Sequence, residues 1–145
     1  MKTFTISSLE DLGEFAESFL NQLEKKEQAI IIKLSGDLGA GKTAFTKKSA
    51  EYFQVADTVT SPTFVIQKEY EILQHAFLKK MIHIDAYRLE SAADLEYLGW
   101  QENINNSENI IFIEWPSQVS GIDMPNPISM DIKIDASKNR IITVD

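Results

Sequence analysis

A glycine-rich turn between an apolar segment and a helical segment constrains this chain more than any other feature of its sequence. Residues 29–34 are apolar apart from Lys33, which is typical of a central strand buried on both faces of a sheet. A turn over 36–41 and a helical segment over 42–53 follow. The turn and the start of the helix match the pattern G-x-x-x-x-G-K-S/T. The matching residues are Gly36, Asp37, Leu38, Gly39, Ala40, Gly41, Lys42 and Thr43.

The residue types of this loop suit the binding of phosphate groups. Glycines allow the backbone to turn so that successive N–H groups point at phosphate oxygens, and the following helix adds the positive end of its dipole. Lys42 would reach the β- and γ-phosphates of a nucleotide, and the hydroxyl of Thr43 would bind Mg²⁺. The simpler interpretation is a glycine turn that only connects strand and helix. The apolar strand before the motif and the helix after it favour the phosphate loop.

Apolar runs and polar breaks along the whole chain predict an α/β fold. The expected strands cover 2–6, 29–34, 64–72, 81–84, 110–113, 128–134 and 141–144. The expected helices cover 9–25, 42–53 and 91–98, and a polar loop is expected over 103–109. We predict one domain over 1–145, with three layers and a mixed, mostly parallel sheet. The last two strands are expected to form a C-terminal antiparallel hairpin.

Two acidic residues end apolar runs and are candidates for the chemistry beside a bound phosphate. Asp85 follows the run that begins at Met81, and Glu114 follows the run that begins at Ile110. Ligands of open α/β sheets lie beyond the carboxyl ends of the strands, so both acids could face the same crevice as the phosphate loop. An acid at this place can hold Mg²⁺ or orient an attacking water. The residues alone leave open which acid has which role, and an exposed acid after a strand is the simpler interpretation of either.

Other polar and aromatic residues have two interpretations each. The hydroxyl-bearing loop 60–63, which begins with Thr60, could close over a γ-phosphate or could be an ordinary Ser-Pro turn. Trp115 could stack on a base or an aromatic partner, or could be half-buried at the end of a strand. His83 is expected to be a packed or hydrogen-bonded histidine. Arg88 could reach a phosphate or form an ion pair with a nearby acid.

The charge balance argues against a protein that grips nucleic acid unaided. The chain has 145 residues with 22 acids against 14 basic residues, only two of them arginines, and a net charge of -8. Proteins that bind nucleic acid alone neutralise phosphates with clusters of Lys and Arg. The absence of cysteine excludes thiolate zinc sites and cysteine nucleophiles. No apolar run approaches the roughly 18 residues of a membrane span and residues 1–10 lack a signal-peptide pattern, so we expect a cytoplasmic protein without a membrane partner.

Four motifs, taken together, resemble those of the bacterial TsaE (YjeE) ATPases. They are the phosphate loop over 36–43, Thr-Ser-Pro-Thr-Phe over 60–64, His-Ile-Asp-Ala-Tyr-Arg-Leu over 83–89 and Ile-Glu-Trp-Pro over 113–116. The resemblance runs from about residue 6 to 135, with the motifs in the expected order and spacing. It implies a variant of the P-loop NTPase fold.

The resemblance also implies a function. Members of this family support the transfer of a threonylcarbamoyl group to the adenosine beside the anticodon of tRNA. The transferase is a different protein, TsaD, which is paired with TsaB. The chain would bind that pair and hydrolyse ATP, and it would meet tRNA only indirectly through the complex.

Site roles follow from the same resemblance. Lys42 and Thr43 would hold the phosphates and Mg²⁺, and Glu114 would be a magnesium ligand. Asp85 would be the acid that acts on the attacking water. The loop from Thr60 would be the switch-like loop that contacts the nucleotide.

The resemblance leaves two regions less defined. Trp115 would lie by the nucleotide or at the surface that meets the partners. The turn over 6–11 is a candidate for the adenine pocket if the first strand lies at an edge of the sheet. Trp100 and Gln101 match no family motif, so the partner contacts of their helix stay open.

Three other functions are weighed on the residues themselves. A small-molecule kinase usually needs an arginine-bearing lid around the transferring phosphoryl group, whereas this chain offers only Arg88 and Arg140. A GTPase would need the Asn-Lys-x-Asp guanine signature, which the sequence lacks. An interaction module that binds ATP without hydrolysing it would differ from an ATPase in turnover alone. Hydrolysis is expected to be weak in the isolated chain because no arginine finger can be placed from the sequence.

Overall fold

The computed structural model describes residues 1–60, 62 and 65–145, and these residues form seven strands in one sheet. The strands are β1 (Lys2–Ile6), β2 (Ile30–Ser35), β3 (Gln67–Glu71), β4 (Lys80–Asp85), β5 (Asn109–Glu114), β6 (Ile128–Ile134) and β7 (Arg140–Val144). The α-helices are α1 (Leu9–Asn21), α2 (Lys42–Tyr52), α3 (Ala92–Tyr97) and α4 (Trp100–Ile104). Short 3₁₀ helices at Ala86–Arg88 and Pro116–Val119 follow β4 and β5. None of the helices in these described ranges is long and apolar enough to cross a membrane.

The sheet is parallel at its centre and antiparallel at its two sides. Its strand order is β1-β7-β6-β2-β5-β4-β3. The four central strands β6, β2, β5 and β4 run parallel to one another. The hairpin of β6 and β7, the edge strand β1 and the strand β3 add antiparallel pairs. This confirms the predicted mixed sheet and its C-terminal hairpin. It also places β1 at an edge, which is the condition under which the turn over 6–11 was a candidate for the adenine pocket.

The alternation of side chains along the central strands divides the core into two layers. In β2, Ile30 and Ile32 pack on the face that α1 and α2 cover, whereas Ile31 packs on the opposite face with Trp100 of α4. Every residue of β5 is buried. Parallel strands covered on both faces carry continuous apolar runs, which is why these segments could be identified from the sequence. The result is the expected three-layer arrangement.

The capping residues of the first helix confirm where it begins, but the helix is shorter than expected. Ser8 is the N-cap and its Oγ accepts a hydrogen bond from the Asp11 N–H at 3.0 Å. The Asp11 carboxylate in turn accepts from the Ser7 N–H at 3.1 Å. The helix ends at Asn21 rather than at residue 25. Directly after this end, the N–H of Leu23 bonds to the carbonyl of Leu20 in a tighter last turn. After Leu23, which still packs partly against this core, residues 24–28 are all polar.

Two further segments differ from the expectation. The strand predicted over 64–72 is Gln67–Glu71; residue 64 lies outside the described residues, and the backbone at Ile66 has a φ of 68° that interrupts an extended segment. The loop predicted over 103–109 begins only after α4, because Trp100 and Ile104 are both buried one helical turn apart. The helix of five residues is too short for its periodicity to be read from the sequence.

Candidate nucleotide-binding site

The phosphate loop connects β2 to α2, and its glycines are required for two different reasons. Gly36, Gly39 and Gly41 all have positive φ, at 143°, 79° and 120°. A Cβ atom added at Gly36 would lie 2.3 Å from the carbonyl oxygen of Ile132 in β6, and one added at Gly41 would lie 2.6 Å from Nε of Arg140 in β7. Nothing lies within 4 Å of a Cβ added at Gly39. The first and last glycines of the motif therefore also allow the loop to pack tightly against the C-terminal hairpin.

Lys42 is held by the loop to which it belongs. Its Nζ donates to the carbonyl oxygens of Gly36 at 2.7 Å and Asp37 at 2.9 Å. The side chain is only 5% exposed, and Nζ lies 4.6 Å from the ring centroid of Trp115. Burial lowers the pKa of Lys42, while the nearby carboxylates of Glu114 and Asp85 act in the opposite direction. The two acids therefore lie close enough to Lys42 to favour its charged form.

The two acids predicted to share a crevice with the loop do so. Asp85 and Glu114 end neighbouring parallel strands and are register partners. They are 6% and 4% exposed. Both line a cavity of about 280 Å³, which the loop borders on the opposite side. The other lining residues are Leu38, Gly39, Gly41, Lys42, Thr43, Ala44, Trp115 and Arg140.

Each acid is oriented by a second group. Nε2 of His83 donates to Oε2 of Glu114 at 2.6 Å, and both side chains are buried. His83 is thus a packed, hydrogen-bonded histidine as expected, and its Nδ1 has no partner among the described residues. Oδ1 of Asp85 accepts from the Tyr87 N–H at 3.0 Å and caps the 3₁₀ helix that follows. One carboxylate oxygen of each acid is thereby fixed.

Trp115 lies beside the loop in an unusual backbone conformation. Its φ of 56° and ψ of 49° are left-handed, which is strained for a residue with a side chain. This conformation follows β5 directly and turns the indole toward Lys42 and toward Tyr87, whose ring centroid lies 5.1 Å away. The ring is therefore part of the wall of the cavity.

The remaining predicted site residues lie at different distances from this cavity. Thr60 is exposed, accepts a hydrogen bond from Lys68, and is not among the described residues that line the cavity. Ser61 and Thr63 of the same predicted loop lie outside the described residues. Asp37 borders a neighbouring cavity with Gly36. The side chain of Ala40 is buried in the core under the loop, so only its backbone could face a ligand.

Sequence reasoning missed two residues of this cavity, Ala44 and Arg140, and it left the role of Trp100 open. Arg140 is the first residue of β7, and its side chain reaches Gly41 because β7 lies only two strands away from β2. The signals in the sequence were that Arg140 is one of only two arginines and that it directly precedes the strand predicted over 141–144. Its position beside the loop depends on the strand order. Trp100 is buried in the core, with its Nε1 donating to the Asp123 carbonyl at 2.9 Å. Its side chain is therefore not available for partner contacts.

Comparisons with known proteins agree with this arrangement. The sequence model of the family described as "Threonylcarbamoyl adenosine biosynthesis protein TsaE" matches residues 6–142. A protein of Rickettsia prowazekii named "tRNA threonylcarbamoyladenosine biosynthesis protein TsaE" is 30% identical over 141 residues, which cover 97% of this chain and 92% of that protein. The protein of the same name from Aquifex aeolicus is 34% identical over 144 residues, which cover 97% of this chain and 94% of that protein.

A solved structure resembles the whole fold. The crystal structure of YdiB from Bacillus subtilis superposes with a TM-score of 0.74 and 25% identity, covering 99% of this chain and 83% of that one. The sequence and structure matches both extend over nearly the full length, and they include the phosphate loop and the two strand-end acids. The chain therefore belongs to the TsaE family of threonylcarbamoyladenosine biosynthesis proteins and has the P-loop ATPase fold of that family.

Proposed function

We propose that residues 1–145 act as one P-loop domain that binds and hydrolyses Mg-ATP in support of threonylcarbamoyl transfer to the adenosine beside the anticodon of tRNA. One observation carries the ATP part of this proposal. Lys42, at the start of α2, lies in one cavity with Asp85 and Glu114 from adjacent strands. Family membership supports the tRNA part.

The loop fits a polyphosphate. The N-cap of α2 is Gly41, which provides no side-chain hydrogen bond, and the first turn of the helix contains no acid. The first N–H groups of α2 therefore have no side-chain acceptor at the N-cap, and they carry the positive end of the helix dipole. The ammonium group of Lys42 has three donors, of which two are bound to loop carbonyls. The third donor is available for a phosphate oxygen.

The donor set also fits Mg²⁺ bound together with phosphates. Mg²⁺ is usually held by one or two carboxylates plus phosphate oxygens and waters, rather than by a complete protein cage. Among the described residues, no three His, Asp or Glu side chains form such a cage. We assign the Thr43 hydroxyl and the Glu114 carboxylate to the metal. A bound Mg²⁺ would neutralise charge that develops on the phosphate oxygens.

The residues of the site then have separate roles. The His83 N–H holds one oxygen of Glu114, which lines the cavity, and we assign the other oxygen to the metal. The Tyr87 N–H fixes one oxygen of Asp85 in the same way. The second oxygen of Asp85 is our candidate acceptor for the proton of the attacking water. Lys42 stabilises the phosphate charge, the indole of Trp115 shields its ammonium group from bulk water, and we assign Thr60 to a loop that contacts the nucleotide.

The partners follow from charge and family. A net charge of -8 gives the chain little basic surface of its own for tRNA. We therefore propose that it acts in the cytoplasm with the TsaD and TsaB proteins, and that it meets tRNA only through that complex. Hydrolysis is expected to be weak in the isolated chain and faster in the complex.

The pathway is tested by measuring the modified nucleoside in cells. We expect depletion of the protein to remove threonylcarbamoyladenosine from tRNA, as measured by nucleoside mass spectrometry. Wild type and Lys47→Ala, a matched control that changes an exposed lysine of the same helix, should restore it, whereas Lys42→Ala should not. Unchanged modification in depleted cells would refute the pathway. Rescue by Lys42→Ala would refute the need for the phosphate loop.

The division of roles between the acids is tested with the purified protein. Glu114→Ala should weaken Mg²⁺-dependent nucleotide binding more than Asp85→Ala, because we assign the metal to Glu114. Asp85→Ala should mainly reduce turnover in the presence of the partner proteins. If Asp85→Ala is the more harmful to metal-dependent binding, the two roles must be exchanged. Phosphorylation of a small metabolite ahead of ATP hydrolysis would instead indicate a kinase.

A further inference from the structure

The side chain of Arg140 packs directly on the phosphate loop. A Cβ atom added at Gly41 would lie 2.6 Å from Nε of Arg140 and 3.0 Å from its Cδ. The backbone of Arg140 is fixed on both sides, because it pairs with Ile6 of β1 and with Ile134 of β6. The arginine therefore reaches the loop from a rigid position in the sheet.

One nitrogen of the Arg140 guanidinium group has no hydrogen-bond partner among the described residues. Its Nε is buried and has no hydrogen-bond partner in the described ranges, and the side chain makes no salt bridge there. A buried donor without an acceptor is unfavourable. This occurs in a chain with 22 acids, and the side chain lines the same cavity as Lys42. Among the described residues, no carboxylate forms a salt bridge with this guanidinium group beside the phosphate loop.

The strand order indicates which part of a nucleotide Arg140 would meet. Glu114 and Asp85 lie on β5 and β4, on one side of β2, and Lys42 lies next to Trp115 on that same side. Arg140 lies on β7, on the other side of β2. When the β- and γ-phosphates occupy the end with the lysine and the acids, the cavity continues past Gly41 toward Arg140. The α-phosphate and the ribose are the groups that follow in that direction.

We propose that Arg140 is a nucleotide-binding residue whose guanidinium group donates to the α-phosphate at the ribose end of the site. This inference rests on the proposed function, because it requires that ATP occupy the loop. The planar guanidinium fork suits a phosphate group better than an ammonium group does. Arg140 also gives Gly41 a role beyond backbone freedom, since any side chain there would displace the arginine. At this end of the cavity it would not contact the γ-phosphate, so it would not act as an arginine finger.

The test compares two ligands in titration calorimetry of the full chain. ADP contains the α-phosphate and the ribose, whereas inorganic phosphate would place a single phosphate group beside Lys42 and has no group at the α-phosphate position. Arg140→Met keeps an unbranched side chain against Gly41 but removes the charge, and we expect it to weaken ADP binding about tenfold to a hundredfold, the range for one lost charge-assisted hydrogen bond. Inorganic phosphate should lose only the few-fold affinity that follows the removal of a more distant charge. Arg140→Lys should lie between wild type and Arg140→Met for ADP.

The controls separate this inference from the proposed function. Lys138→Met removes one charge from the exposed turn of the same hairpin and should leave ADP affinity unchanged. Circular dichroism without nucleotide should show that the Arg140 variants are folded, and Arg140→Lys provides the test if Arg140→Met is not. Wild-type ADP affinity in the Arg140 variants, or equal losses for ADP and inorganic phosphate, would overturn the role of Arg140 alone. Failure of the wild type to bind ADP would overturn the proposed function as well.

Discussion

The contact between the phosphate loop and β6 leads to a prediction that distinguishes two glycines of the same motif. Gly36 and Gly39 both have positive φ, so replacement by alanine strains the backbone at either position. Only Gly36 has a close neighbour, since its added Cβ would lie 2.3 Å from the Ile132 carbonyl oxygen and 3.3 Å from Cβ of Ala40. The matched pair Gly36→Ala and Gly39→Ala therefore separates backbone strain from steric overlap.

The expected magnitudes differ by the cost of that overlap. Strain alone should lower the free energy of unfolding of Gly39→Ala by about 1–2 kcal/mol. Gly36→Ala has similar strain, and the overlap with a backbone carbonyl adds about 1–3 kcal/mol. The sum is about 2–5 kcal/mol, because the contact is with a backbone carbonyl and not with the end of a flexible side chain that could move away. At roughly 4 °C per kcal/mol for a chain of this size, Gly36→Ala should lower Tm by about 8–20 °C and Gly39→Ala by about 4–8 °C.

Urea unfolding without nucleotide measures the difference. Circular dichroism should show a single transition whose midpoint shifts while the slope m stays unchanged, so that the change can be assigned to stability. Equal losses in the two variants, or a larger loss for Gly39→Ala, would refute the reasoning. Either result would mean that β6 moves away from the loop at little cost and that the contact with Ile132 does not hold the first glycine of the motif in place.

Three further perturbations test other contacts. Trp100→Phe removes the indole donor to the Asp123 carbonyl and should lower the free energy of unfolding by about 1–3 kcal/mol, whereas Tyr97→Phe at an exposed position should change it by less than about 0.5 kcal/mol in the same urea experiment. Burial lowers the pKa of His75, and its Nδ1 accepts the N–H groups of Phe77 and Leu78. The contribution of His75 to the free energy of unfolding should therefore be constant above the unfolded pKa of about 6.5 and fall as pH decreases below it. The fall should be shallower in His75→Asn. A pH dependence that is unchanged in His75→Asn would contradict this assignment. His83→Leu removes the donor that orients Glu114. It should weaken Mg²⁺-dependent ATP binding about tenfold but leave ATP binding in EDTA unchanged. Equal losses of affinity in both conditions would show that His83 acts only on folding.

The elements that could be predicted from the sequence are those with strong local signals. The run before Gly36 is apolar apart from Lys33 and Ser35, so β2 and the loop that follows it were identified together. The hairpin of β6 and β7 was found from the alternation of its side chains, and α3 from its capping box of Ser91 and Asp94. The strand-end positions of Asp85 and Glu114 followed from the same apolar runs. In each case, the signal lies within about ten neighbouring residues.

The errors have a common physical origin in packing between distant parts of the chain. The helix α4 was missed because five residues give no readable period, and its burial of Trp100 and Ile104 in the core depends on contacts with distant parts of the chain. The end of α1 was placed too late because Leu23 continues the apolar spacing although the backbone has already left the helix. Tertiary contacts decide such boundaries.

The sequence by itself determined the local chemistry of this protein: a loop that can bend only because of its glycines, a lysine at the start of a helix, and acids at the ends of buried strands. These properties depend on backbone conformation and on the spacing of apolar residues, which neighbouring residues specify. Only the tertiary structure decided which strands are adjacent. Strand order is set by burial and pairing between segments far apart in the chain, and it is this order that brings His83 to Glu114 and Arg140 to Gly41.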